Sequence, residues 1–101
     1  MVKLGILVNT ARHLDDVIGL TEAAIAKGRE VFIFAMDEGT RLLDDGRFAS
    51  LACVAGVTMS VCEHSAKSQH VNIEHLAPQI RCGSQLNNAT MVHAADRVIV
   101  L

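Results

Sequence analysis

Residues 2–36, VKLGILVNTARHLDDVIGLTEAAIAKGREVFIFAM, decide the fold. Val2 to Val8 is a near-continuous apolar run with Gly5 inside it, the pattern of a strand covered on both faces. After the polar stretch Asn9 to His13, Leu14, Val17, Ile18, Thr21, Ala24 and Ile25 recur at helical spacing. Asp15 and Asp16 fall in the first turn of that helix, and Gly28 stands where a C-terminal cap belongs. Val31 to Met36 is again apolar throughout, a second buried strand, ended by Asp37-Glu38-Gly39. A buried strand, a helix and a second buried strand make a βαβ unit, and parallel strands need such a crossover.

The alternation continues to the C-terminus. A short helix is expected over Thr40–Asp44 and a turn at Asp45-Gly46; Phe48, Leu51, Ala52 and Ala55 mark another helix, closed by Gly56. Val57, Met59 and Val61 alternate with Thr58, Ser60 and Cys62, a third strand, and a helix follows over Glu63–Gln69. The stretch 70–79 is the least regular and holds the only proline, Pro78. Ile80-Arg81-Cys82 reads as a very short strand, Gln85–Ala94 as a helix and Arg97–Leu101 as the last strand. The expectation is one α/β domain over residues 1–101: three layers around a mainly parallel sheet of about five strands, with helices on both faces.

Composition narrows the function. Of 101 residues, 50% are hydrophobic and 20% charged, enough to build a core and too apolar for a disordered chain. Three Phe, no Trp, no Tyr, and nine basic against eleven acidic residues leave neither stacking platforms nor a basic groove, so no nucleic-acid partner is expected. No run reaches the ~18–20 apolar residues of a membrane span, and Leu4–Val8 is too short for a signal-peptide core. An odd number of cysteines, three, at irregular spacing points to a reducing compartment and hence the cytoplasm. The apolar content of so small a domain also predicts a subunit interface.

Ligands of open α/β sheets bind beyond the carboxyl ends of the strands, which selects residues 9–13, 36–40, 62–65 and 82–85. Cys62 closes a strand and immediately precedes a helix, where backbone amides favour a thiolate; equally, cysteine packs well as a small buried residue. His64 and Lys67 add positive character beside it, and Glu63 opposes it. Cys82 precedes Gly83-Ser84 at a second strand-to-helix turn, where it is either a resolving or accepting thiol or a packed residue, with Gly83 and Ser84 candidates to hold an anion. Asn9 and Thr10 are binding candidates after the first strand. Asp37-Glu38 reads as a polar turn before it reads as a base or cation site, and Cys53 as a core residue.

Five histidines raise the question of a metal, but C-x₂-C and H-x₃-H pairs are absent and none is expected. No phosphate-loop, dinucleotide-binding or G-x-S-x-G motif occurs, so no cofactor is expected either.

The segment Gly56-Val57-Thr58-Met59-Ser60-Val61-Cys62-Glu63-His64-Ser65-Ala66-Lys67-Ser68-Gln69-His70-Val71 resembles the DsrE/TusD-type (DsrE/DsrF-like) sulfur-relay family. The opening strand, the Ala-rich helix ending at Gly28, the strand with its acidic-glycine turn and the close Ala95–Leu101 fit the same resemblance. It departs at Lys67-Ser68-Gln69-His70, where relatives often carry basic residues and glycine. The resemblance implies a five-stranded parallel sheet, oligomers (often trimers or hexamers) and a cytoplasmic persulfide carrier whose sulfur-accepting cysteine maps onto Cys62. The expected function is therefore a sulfurtransferase-like relay: Cys62 takes sulfane sulfur from a donor protein and hands it to an acceptor, with His64, Lys67 and Cys82 as possible assistants. The rival is a non-catalytic subunit of the same fold, or a small-ligand-binding regulatory module with structural cysteines.

Overall fold

The structure, a computed structural model, describes residues 2–101. Five parallel strands among these residues form one sheet: β1 (Lys3–Val8), β2 (Glu30–Ala35), β3 (Val57–Cys62), β4 (Ile80–Gly83) and β5 (Arg97–Val100), in the order β4-β3-β2-β1-β5. The helices are α1 (Leu14–Ala26), α2 (Gly46–Ala49), α3 (Glu63–Ser68) and α4 (Gln85–Ala94). The expected three-layer parallel α/β architecture is the one observed.

Between β2 and β3 the chain is tighter than the apolar spacing suggests. The helix expected over Thr40–Asp44 is a 3-10 helix over Asp37–Asp44, and the one expected around Phe48–Ala55 splits into α2 and a second 3-10 turn, Ser50–Cys53. The 3-10 winding changes the angle between successive side chains. Phe48, Leu51 and Ala52 stay in the core, whereas Cys53 is exposed, correcting its expected place there.

Two helix ends show the cost of chain reversal. Gly28 takes φ +74° after α1, and Arg29 donates back to the Ala24 carbonyl at 3.0 Å, the cap anticipated from sequence. After α3 the same bond pattern recurs, with Val71 donating to the Ala66 carbonyl at 2.8 Å and His70 to that of Lys67 at 3.1 Å. Here the left-handed residue is His70, at φ +58°, a conformation that suits glycine better.

Strand register sorts side chains onto two faces. Ile6, Val8, Val31, Ile33, Ala35, Met59, Val61 and Ile80 point to one side and form the main core with Val17 and Ala24 of α1, Phe48 of α2 and Ala66 of α3. The other face carries Leu7, Phe32, Phe34 and Cys62 and is covered by α4 alone, chiefly through Met91. Right-handed crossovers explain the asymmetry. From β1 to β4 the chain steps steadily one way and its helices fall on one side; from β4 it returns across the sheet to β5, so α4 falls on the other. One ten-residue helix is a thin cover for five strands. Val98 and Val100 on that face are left exposed, Val100 by 56%.

Candidate functional site

Adjacent strands β3 and β4 end side by side, with Cys62 opposite Gly83 in the ladder. The helix after β3 packs on one face of the sheet and the helix after β4 on the other, so the chain parts at this point. Such a crevice is where open α/β sheets place ligands. It is a cleft of about 670 Å³ lined by Asp37, Cys62, His64, Lys67, Ser84 and Gln85, among others. Of the four carboxyl-end segments picked out in the sequence, the fold brings together those after β3 and β4, with Asp37 from the segment after β2.

β3 runs into α3 without a loop. Cys62 is both the last strand residue and the N-cap, with extended φ −74° and ψ 112°. An N-cap side chain accepts from the second and third helical amides, here those of His64 and Ser65. The neutral thiol closes no such bond. Its side chain is 4% exposed, packed against Phe34 and Met91. Burial pushes the Cys62 thiol up; the Ser65 hydroxyl and amide, the Gln85 side-chain amide and the His64 amide oppose it and prevail, so the net shift is below the ordinary value. The dominant stabiliser of charge is thus a ring of hydrogen-bond donors, not a cation. Ionisation supplies the acceptor that the start of α3 lacks.

Gln85 is aimed by its own helix. Asn88 donates to Gln85 Oε1 at 3.3 Å, and the Gln85 NH₂ donates to Met36 Sδ at 3.7 Å. Ser84 caps α4 in a reciprocal box: its hydroxyl accepts from the Leu86 amide at 3.2 Å, and its own amide donates to Asn87 Oδ1 at 2.9 Å. A side chain at Gly83 would collide with that Asn87 carboxamide. Gly83 and Ser84 therefore set the start of α4 and so the position of Gln85; the amide and hydroxyl of Ser84 are already spent on the cap.

The remaining sequence candidates divide. His64 lines the cleft, but what reaches the sulfur is its backbone amide. Lys67 pairs with Glu63 at 3.4 Å on the exposed face of α3, which spends its charge one helical turn away. Cys82 aligns with Val61 rather than with Cys62, so it points to the opposite face of the sheet. Burial, and then the nearby Glu63 carboxylate, push the Cys82 thiol up, the reverse of Cys62. Asn9 and Thr10 stand two strands away, where their amides both donate to the Leu101 carbonyl, at 2.9 and 3.3 Å. Among the described residues no three His, Cys, Asp or Glu side chains gather as a metal-binding group. Nor does any helix among them have the length and apolarity to cross a membrane.

Sequence reasoning missed Ser65 and Gln85 as partners of the thiol. Ser65 carried a usable signal, since the third helical position faces its N-cap. Gln85 carried none, because its role depends on which strand lies beside β3.

These features define a class: a three-layer parallel α/β domain with a donor-ringed thiol in the crevice where its chain reverses. No protein-family model matches the sequence, and no curated protein is significantly similar to it. Solved structures do share the fold. The YchN protein of Escherichia coli superposes with a TM-score of 0.77 at 17% identity, and MTH1491 of Methanobacterium thermoautotrophicum, a protein of unknown function, with 0.79 at 12%. Each comparison covers 100% of both chains. At such identities the likeness establishes the fold alone, a five-stranded parallel α/β domain.

Proposed function

We propose that the protein is a cytoplasmic sulfur carrier that loads sulfane sulfur on Cys62. The observation that carries this reading is the ring of donors, Ser65, His64 and Gln85, that holds a buried thiol below its ordinary pKa at the mouth of a cleft. The Cys62 thiolate attacks the outer sulfur of a donor persulfide R–S–SH. A Cys62 S–S bond forms, the donor S–S bond breaks, and R–S⁻ departs and is protonated by water. In the second step an acceptor thiolate attacks the outer sulfur and Cys62 leaves as thiolate. A thiol of lowered pKa is a good leaving group, so the same donors that charge Cys62 favour delivery. Cys82 lies on the other face of the sheet, and in this reading both exchanges are intermolecular, with donor and acceptor as partner proteins.

Incubation with polysulfide, followed by mass spectrometry, is expected to show one added sulfur on the wild type and none on Cys62→Ser. An adduct unchanged in that variant removes Cys62 from the mechanism. The near-complete burial of Cys62 favours a second reading, a ligand-binding or regulatory subunit with a structural thiol. That reading stands if Cys62 alkylates no faster than a free model thiol and takes up no sulfur.

We propose further that the face carrying Val98, Val100 and the exposed Val92 of α4 meets copies of the same chain, as a trimer or hexamer. Sedimentation at the mass of a monomer would exclude this.

A further inference from the structure

On the face covered by α4, a second opening lies between that helix and strands β2, β3 and β4. It holds about 300 Å³, at the lower end of small-molecule sites. Its two sides differ in chemistry. Phe32 and Phe34 on β2, with Met91 of α4, make an apolar wall. Beside them on the same sheet face Thr58 and Ser60 on β3, the ladder partners of Phe32 and Phe34, and Arg81 on β4 make a polar strip, Ser60 and Arg81 being direct partners in the ladder. Other polar neighbours are already engaged: the Thr90 hydroxyl donates to the Leu86 carbonyl at 2.9 Å, and Asn87 caps its helix. Arg81 takes part in none of the ion pairs among the described residues. An uncommitted guanidinium beside hydroxyls, with aromatic rings continuing the same sheet face, is a recognition surface for one end of a small amphipathic anion.

We infer that this groove binds a small carboxylate with an apolar body, the carboxylate on Arg81 and Ser60 and the body against Phe32, Phe34 and Met91. A neutral apolar ligand would leave the guanidinium without a counter-charge, and a fully polar anion would leave the aromatic wall in water. The site is distinct from the thiol cleft and does not depend on sulfur transfer by Cys62, although Phe34 and Met91, which line it, also pack against the buried Cys62.

The test is titration of the ¹⁵N-labelled protein with octanoate, and with octanol as the neutral probe of matched length. Octanoate is expected to shift the amides of Phe32, Phe34, Ser60, Arg81 and Met91 saturably. Arg81→Met should weaken octanoate by about tenfold or more while leaving octanol unchanged, and Arg81→Lys should restore part of the loss. Three results would overturn the inference: no saturable shift at those residues, equal octanoate affinity in Arg81→Met, or the same shifts arising from protein concentration alone. The last would place a second copy of the chain in the groove.

Discussion

Gln85, at the start of α4, lines the same cleft as Cys62, at the end of β3, and its side-chain amide helps to lower the pKa of that thiol. The two residues belong to different βα units and to helices on opposite faces of the sheet. Their meeting turns a strand-end cysteine into a site with donors on two sides, and it makes the charge state of the thiol depend on the cap of a helix that does not contain it.

Gln85→Ala removes one donor and leaves the His64 and Ser65 donors in place. The pH at which Cys62 becomes reactive should move up toward the ordinary thiol value, and alkylation at pH 7 should slow by about 2–10-fold. A pH–rate profile with iodoacetamide measures both. An unchanged profile would show that Gln85 does not bear on the thiolate.

Cys62 and Cys82 should drive stability in opposite directions with pH. Cys62 is lowered in the folded state, so its contribution is fully present above the unfolded thiol value and is lost as pH falls through the folded one. Cys82 is raised, so its contribution is present below the unfolded value and is lost as pH rises through the folded one. Urea unfolding of Cys62→Ser and Cys82→Ser across the alkaline range separates them: relative to wild type, Cys62→Ser should lose ground as pH rises and Cys82→Ser should gain it. For one proton the slope stays below about 1.4 kcal/mol per pH unit.

Gly83→Ala drives a methyl group into the Asn87 carboxamide and opens the capping box. A cap is worth about 1 kcal/mol, which for a domain of this size lowers the melting temperature by about 4–8 °C. The same change should slow Cys62 alkylation, since Gln85 is held by that cap. Gly19→Ala is the control: it lies exposed inside α1 with nothing near the new methyl, and should stabilise by about 0.5–1 kcal/mol without touching the thiol.

His70→Gly should stabilise the protein by about 1 kcal/mol, because His70 holds a left-handed backbone at the end of α3. Calorimetry checks it. A fall in melting temperature would mean that the imidazole contributes more than its backbone costs. This position is a helix end that glycine would suit.

The periodicity of the chain was enough to locate every strand and the start of α3 and α4. Runs such as Val31–Met36 bury both faces, and Val57–Cys62 alternates, so their hydrophobic pattern is a local property of the chain. The winding between β2 and β3 was not legible, since 3-10 and α turns share nearly the same apolar spacing over four to eight residues. Cys53 fell on the wrong side for that reason. Cys62 was legible because the strand-to-helix junction that polarises it is contiguous in sequence. The contacts of its neighbours were not: Lys67 pairs with Glu63, one turn back, and Gln85 reaches the cleft from a different helix.

What the sequence determined alone is therefore the set of elements, the parallel α/β class and the position of one thiol at a strand end. All follow from short-range patterns of burial and from where helices begin. Tertiary structure decided strand order, and with it everything at the site that spans elements. Placing β4 beside β3 brought Gln85 to Cys62, turned Cys82 to the far face and set Arg81 beside Ser60. These are contacts between segments distant along the chain, selected by the handedness of crossovers and the packing of the whole sheet, and no local pattern encodes them.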